Sequence, residues 1–157
     1  MTPELAFLIA NSSIVPAWVL LLVMPNSALT QRVVHGFAFP FLLGGAYLAA
    51  VLISTTTMVE GGSFFSLEGV MLLFTNPWGV VAGWIHYLAF DLFVGAWEAR
   101  DARRRGVPRW LLTICLLFTL MYGPIGLLLY GIVRLTKGAD AGLGEERRSG
   151  AHVAHSR

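Results

Sequence analysis

The amino-acid sequence predicts an all-α, polytopic membrane protein built as a bundle of four transmembrane helices. Three observations lead to this prediction: mean hydropathy is +0.69, only 13% of the 157 residues are charged, and long apolar segments follow one another along the chain. A hydrocarbon core of roughly 30 Å takes about 20 helical residues to cross. A chain of this length holds about four such helices in a single domain.

The first two spans are predicted from the first two apolar segments. Residues 5–24 carry Asn11 and Pro16 near their middle, so a polar group and an expected kink coincide. No positively charged region precedes this segment and no Ala-x-Ala-like cleavage site follows it, so we expect a retained helix. Turn-forming residues at 25–27 then separate it from a second span, predicted over residues 30–53.

The next part of the chain predicts a short helix followed by the third span. Residues 64–74 form an apolar run that Glu68 interrupts and that is too short to cross a bilayer. We therefore expect a short interfacial or re-entrant helix between the second and third spans. The third span is predicted over residues 78–99, with Asn76 as its N-cap, and the basic residues of 100–109 follow it.

The last apolar segment predicts the fourth span, over residues 110–133. Pro124 is expected to kink this helix and to leave the carbonyl of Leu120 without its usual helical donor. Residues 137–157 are polar and show no apolar periodicity, which predicts a disordered tail. The expected organisation is therefore one transmembrane domain, residues 1–136, with a polar extension.

Asp91 is the residue that most needs a functional explanation, because it lies at mid-depth of the third span. Translocon scales assign an aspartate there a cost of about 2.5–3.5 kcal/mol, and intramembrane carboxylates are functional by default. Trp84, Asp91 and Glu98 are spaced by seven residues and share one stripe of the helix. His86 points about 140° away from Asp91, so the two cannot form a tight pair within one helix. Glu98 is expected near the headgroups, in contact with solvent.

Structural roles for the same residues remain open from the sequence. Asp91 could instead form a helix-to-helix hydrogen bond to Asn11, Ser12 or Tyr122. His86 could equally be a neutral imidazole bonded to a backbone carbonyl. The aromatic residues around them fit packing between helices as well as they fit ligand binding.

The sequence predicts no metal site and no cofactor. The four histidines share no ligand spacing; they are His35, His86, His152 and His155. A heme between His35 and His86 is conceivable but disfavoured. Arginines beside the helix ends predict contact with membrane lipids and no nucleic acid. Faces of small residues leave open a homo-oligomer or a larger membrane complex.

Short motifs spread over the apolar part of the chain resemble those of one known family. They are Trp84-Ile85-His86, Asp91-Leu92-Phe93, Leu116-Leu117-Phe118 and Pro124-Ile125-Gly126. Together they resemble the neoxanthin synthase family, the abscisic-acid-deficiency membrane proteins of plants with their bacterial relatives. The resemblance implies a four-helix membrane protein linked to conversion of violaxanthin to neoxanthin, in which an epoxide opens to an allenic alcohol without net redox change. A bacterial-type relative implies the bacterial inner (cytoplasmic) membrane.

This resemblance also implies roles for individual residues. The chemistry needs an acid that protonates the epoxide oxygen and a base that removes a polyene proton. We expect Asp91 to be the acid and His86, or a second group, to be the base. The expected substrate-binding residues are Asn11, Trp84, Tyr122 and Phe90. The alternative is a non-catalytic integral membrane subunit that binds carotenoid or docks a larger membrane complex.

Overall fold

The computed structural model describes residues 1–138, and this part of the chain consists of seven α-helices joined by short connections. They are α1 (Pro3–Val23), α2 (Ala28–Val33), α3 (Ala38–Thr56), α4 (Leu67–Leu73), α5 (Pro77–Arg105), α6 (Arg109–Tyr122) and α7 (Pro124–Thr136). Residues 1–138 contain no β-strand, which confirms the all-α prediction. From residue 139 onward, the tail expected to be disordered lies outside the described residues.

Three of these helices, α1, α3 and α5, are long and apolar enough to cross a membrane. The helix predicted over residues 110–133 is instead divided into the shorter apolar helices α6 and α7. Gly123 separates the two with a φ of 45°, a conformation that favours glycine. Pro124 begins α7 and has no N–H to donate to the carbonyl of Leu120. The proline therefore breaks the helix where only a kink was expected.

The helix predicted over residues 30–53 is also divided, into α2 and α3, with residues 34–37 between them. Pro40 lies in the first turn of α3 and cannot donate a hydrogen bond to the carbonyl of Gly36. A new helix therefore begins at Ala38, and the Phe37 side chain does not cap its N-terminus. This break leaves an irregular segment against the side of α5.

Helix α5 is the central element of the fold, since α1, α3 and α6 all pack against it. It begins as predicted at Asn76, whose Oδ1 accepts the N–H of Trp78 at 2.9 Å. The Asn76 Nδ2 donates to the carbonyl of Thr57 at 2.9 Å, which ties the start of α5 to the end of α3. Gly95 leaves room on α5 for the indole ring of Trp18. The Trp18 side chain from α1 is thereby buried in the core.

Helices α6 and α7 form a tightly packed pair. Gly126 lies directly against Thr119, and a Cβ at that position would overlap the backbone and side chain of the threonine. Large apolar side chains on the outer faces of the helices are exposed, as expected for a protein surrounded by lipid. The short helix predicted between the second and third spans is present as α4, which has seven residues.

Candidate functional site

The Asp91 carboxyl group lies at the break between α6 and α7. A Cβ built on Gly123 would lie 2.5 Å from Asp91 Oδ1, so the glycine makes room for the carboxyl group. The Asp91 side chain is buried, and its Oδ2 has no hydrogen-bond partner among residues 1–138. No hydrogen bond in this part of the chain joins Asp91 to Asn11, Ser12 or Tyr122, the structural partners considered from the sequence. This oxygen is therefore available for a hydrogen bond with another molecule.

Tyr87, one helical turn before Asp91, connects the carboxyl group to α6. Its hydroxyl donates to the carbonyl of Leu120 at 3.3 Å, the carbonyl that Pro124 leaves without a helical donor. The same hydroxyl interacts electrostatically with the Asp91 carboxyl group. Sequence reasoning missed Tyr87, although a spacing of four residues already indicates that Tyr87 and Asp91 are neighbours on a helix.

Glu98 is fully buried, so the prediction that it contacts solvent near the headgroups is wrong. Helix α6 packs over this part of α5, and the Thr119 hydroxyl bonds to both carboxyl oxygens of Glu98 at 3.0 Å. The prediction used only the position of Glu98 along one helix. That position does not show whether a neighbouring helix covers the side chain. Asp91 and Glu98 therefore share one stripe of α5, about 10 Å apart along the axis.

His86 lies on another side of α5 and does not approach Asp91. Its exposed ring stacks on Phe90, with centroids 4.5 Å apart, and lies 5.7 Å from the ring of Tyr47 in α3. Helical geometry explains the separation, because five residues turn the side chain about 140° around the axis. The structure thus brings His86 and Phe90 together but places neither beside the Asp91 carboxyl group.

Asn11 and Trp84 are brought together between α1 and α5. The Trp84 indole N–H donates to Asn11 Oδ1 at 2.9 Å. The Trp84 ring also contacts the ring of Tyr87, with centroids 5.3 Å apart, which connects this pair to the neighbour of Asp91. Tyr122 is 59% exposed and contacts the ring of Phe118 on the outside of α6. Of the predicted substrate-binding residues, only Asn11 and Trp84 lie on the Asp91 side of α5.

A second group of buried charges lies between α5 and α7, and sequence reasoning missed it. Asp101 is fully buried and accepts from the Tyr130 hydroxyl at 2.8 Å and from Arg134 Nε at 2.9 Å. Arg105 Nε also bonds to both carboxyl oxygens of Asp101 at 2.9 Å. The spacing of Asp101 and Arg105 by four residues was the available signal. The sequence predicts a lipid-headgroup contact for Arg105 and its neighbours, whereas the structure pairs Arg105 with Asp101.

Two cavities lie on other faces of α5, and Asp91 lines neither of them. One, of about 200 Å³, lies against the segment between α2 and α3. The other, of about 160 Å³, is an almost wholly apolar groove formed by α1, α3 and α5. In the described range, residues 1–138, no group of three or more His, Cys, Asp or Glu side chains could hold a metal ion.

Trp84 and Tyr87 lie beside each other on α5, close to Asp91. Trp84 is exposed and Tyr87 half-buried, and their hydrogen bonds reach α1 and α6 respectively. The two rings therefore form an aromatic surface between α1 and α6, beside the carboxyl group. Aromatic surfaces with polar edges suit a long apolar ligand that carries an oxygen.

Comparisons with known proteins identify relatives of this chain. A family model described as ABA4-like, ABA DEFICIENT 4-like, matches residues 5–130. The Arabidopsis thaliana protein named Protein ABA DEFICIENT 4, chloroplastic, is 24% identical over 135 residues, which cover 82% of this chain. The chain spans 60% of the length of that relative. No solved structure matches it. The name of this relative places it in the chloroplast, so it does not support the predicted bacterial inner membrane. The apolar helices are compatible with a membrane protein.

Proposed function

Because the chain belongs to the ABA DEFICIENT 4-like family, we propose that it is a membrane isomerase that opens a xanthophyll epoxide to an allenic isomer, with Asp91 as its acid and base. The family match confirms the resemblance seen in the sequence motifs. The observation that supports this proposal most is the buried Asp91 Oδ2, which has no hydrogen-bond partner within the described chain. A carboxyl oxygen in an apolar helix is costly to leave unpaired, so a ligand is its natural partner.

The proposed arrangement in the membrane has four spans. Helices α6 and α7 reach only about 21 and 20 Å, each short of a hydrocarbon core of roughly 30 Å. Joined at Gly123, they form one broken span with its break beside Asp91. Helix α4, at about 10 Å, is too short to cross and lies at the interface. Which membrane holds the chain stays a prediction.

The proposed reaction needs one carboxyl group. Protonated Asp91 donates its proton to the epoxide oxygen. The bond between that oxygen and the ring carbon attached to the polyene then breaks. The neighbouring C–H bond of the polyene then breaks, and its electron pair forms the second of two cumulated double bonds. The resulting Asp91 carboxylate takes up the released proton. The acid is thereby regenerated, and the product has the composition of the substrate.

The neighbours of Asp91 have supporting roles in this proposal. The Tyr87 hydroxyl, held by the Leu120 carbonyl, keeps the carboxyl group turned toward the break between α6 and α7. Trp84, fixed by Asn11, provides a flat apolar surface for the polyene. His86 lies on the other side of α5, which favours a single carboxyl group over an Asp91–His86 pair.

The test is pigment conversion in a carotenoid-producing host that is supplied with epoxy-xanthophylls. We expect wild type to yield an isomer of unchanged mass, and Asp91→Asn to lower its yield by about 100-fold or more at equal membrane expression. Glu60→Gln removes an exposed carboxylate and is the matched control. His86→Gln should retain the yield. Full product formation by Asp91→Asn would refute the proposal.

A non-catalytic role is the alternative, and the outer face of α3 favours it. Gly44 and Gly45 face open space there, and small residues allow another helix to approach closely. A docking subunit of this kind would yield no new pigment, would retain carotenoid or copurify with a larger partner, and would be indifferent to Asp91→Asn. Gly45→Leu should then release the partner.

A further inference from the structure

Glu98 is a buried carboxyl group that the proposed reaction does not use. The Glu98 and Thr119 side chains are both fully buried, and the Thr119 hydroxyl oxygen lies 3.0 Å from each carboxyl oxygen of Glu98. Thr119 lies four residues before Gly123, and Gly126, which packs directly against Thr119, lies three residues after it. The contact between Glu98 and Thr119 therefore holds α6, with α7 packed on it, against α5 beside the break. An inference about this contact does not depend on the reaction proposed for Asp91.

Glu98 has no positively charged partner among residues 1–138. The arginines that pair with a carboxylate in this part of the bundle, Arg105 and Arg134, both bond to Asp101. Asp91, on the same stripe of α5, interacts electrostatically with Glu98 and would carry a charge of the same sign. A buried charge is tolerated when it is paired and hydrogen-bonded, and α5 itself provides no such pairing for Glu98.

The helices packed against this part of α5 contribute only neutral groups near Glu98, as far as residue 138. Helix α6 contributes the Thr119 hydroxyl and the thiol of Cys115, and α7 contributes the hydroxyl of Tyr130. Helix α1 contributes the indole of Trp18, which lies against α5 three residues before Glu98. Helix α3 has no charged residue and packs against another side of α5. A negative charge on Glu98 would thus meet no counter-charge from any of these helices.

The two equal distances at Glu98 fit a protonated carboxyl group. The Thr119 hydroxyl has a single hydrogen, so an ionised Glu98 would have one hydrogen for two negatively charged oxygens. If Glu98 is protonated, its own O–H donates to the Thr119 oxygen while the Thr119 hydroxyl donates to the other carboxyl oxygen. Both buried oxygens are then paired, which avoids the cost of an unsatisfied polar atom.

We propose that Glu98 is a pH-sensitive lock on the break between α6 and α7, closed while its carboxyl group is protonated. Loss of the proton leaves a buried negative charge without a cation, and this charge is stabilised when α6 moves away and water reaches it. The open form therefore releases a proton that the closed form keeps. One such proton shifts the equilibrium toward the open form by up to about tenfold for each unit of rising pH. Because Gly123 lies beside Asp91, opening would also change the surroundings of the proposed reaction site.

Cys115 reports opening in the natural chain. It is the only cysteine of the sequence, it is buried, and it lies on α6 one turn before Thr119. The experiment measures how fast N-ethylmaleimide modifies the detergent-solubilised full chain from about pH 6 to about pH 9. Ionisation of the thiol raises this rate in every variant, so the wild-type rate is divided at each pH by that of Glu98→Gln, in which the lock cannot ionise. We expect the ratio to rise about tenfold or more over this range.

Matched variants identify the group that titrates. Glu60→Gln removes an exposed carboxylate and Asp91→Asn removes the other carboxyl group of the stripe, and both should keep a rise with pH. Thr119→Val leaves the Glu98 carboxyl group intact but removes its partner, so modification should be faster already at about pH 6. Infrared absorption provides a readout that does not require opening, because wild type at this pH should show a protonated carboxyl band that Glu98→Gln lacks.

Three results would overturn this proposal. A flat ratio would mean that Glu98 does not control exposure of Cys115, and loss of the rise in Asp91→Asn would assign the titration to Asp91. An infrared band unchanged by Glu98→Gln would mean that Glu98 is already ionised in the closed form. A negative charge on Glu98 disfavours ionisation of a nearby thiol, so the charge alone would lower the ratio. Circular dichroism checks folding. If Glu98→Gln does not fold, the carboxyl band that remains in Asp91→Asn must disappear over the pH range in which Cys115 becomes reactive, and its persistence would refute the lock.

Discussion

Replacement of Asp101 by asparagine should destabilise the protein more than any change to an exposed carboxylate. Asp101 is fully buried and accepts hydrogen bonds from Tyr130, Arg134 and Arg105 at 2.8–2.9 Å. Asparagine keeps one acceptor oxygen but removes the negative charge, so Arg134, only 3% exposed, faces a neutral group. Loss of one partner from a buried ion pair costs about 3–5 kcal/mol, and we expect Asp101→Asn to lower the free energy of unfolding by that amount.

A graded series makes this expectation specific. Tyr130→Phe removes one hydrogen bond to the carboxylate and should cost about 1.5–3 kcal/mol. The double variant should cost less than the sum of the two single variants by about 1 kcal/mol or more, because both act on the same carboxylate. Glu60→Gln, the exposed control, should stay within about 0.5 kcal/mol of wild type.

The assay is unfolding of the detergent-solubilised full chain by sodium dodecyl sulfate, followed by circular dichroism and tryptophan fluorescence. Coincident transitions by the two probes are required before free energies are compared. If Asp101→Asn lies within about 1 kcal/mol of Glu60→Gln, the buried contacts of Asp101 do not hold α5 to α7, and the reasoning from burial and geometry is refuted.

Other contacts give further expected outcomes in the same assay. Thr119→Val removes the donor to both oxygens of Glu98 and should cost about 1–3 kcal/mol, whereas Thr119→Ser should stay near wild type. Gly126→Ala places a methyl group against Thr119 and should cost about 1–3 kcal/mol, and an unchanged midpoint would show that α6 and α7 pack less closely than described. Trp84→Phe and Asn11→Ala should each cost about 1 kcal/mol, and the double variant no more than either alone; additive losses would show that the two side chains are not bonded to one another.

Hydropathy and proline positions were sufficient to predict much of the fold. Apolar segments of about 20 residues located α1, α3 and α5, and Asn76 marked the start of α5 correctly. Pro124 correctly indicated that the Leu120 carbonyl lacks its helical donor, and the Tyr87 hydroxyl donates to it instead. The extent of the disturbance was not predictable from the proline alone, because the positive φ of Gly123 turns a kink into a break.

The pairings between helices could not be predicted. A helical wheel states which residues share a stripe, so it correctly separated His86 from Asp91. It does not state which neighbour packs on that stripe, and so Glu98 was assigned to solvent while Thr119 in fact covers it. The same limitation applies to Arg134, which is 33 residues from Asp101 in sequence and bonded to it in the structure.

The two buried aspartates of α5 differ in the hydrogen bonds and ion pairs that their carboxyl groups form. Asp101 has three cationic or hydroxyl donors, which is the usual way to make burial of a charge tolerable. A helix of 29 residues is about 44 Å long and exceeds a hydrocarbon core of roughly 30 Å, so Asp101 lies toward the end that leaves the core. Asp91 lies deeper, where an unpaired polar atom is more costly, yet its Oδ2 has no partner in the described chain. A purely structural aspartate at that depth would need the pairing that Asp101 has, and the contrast between the two favours a ligand-binding role for Asp91.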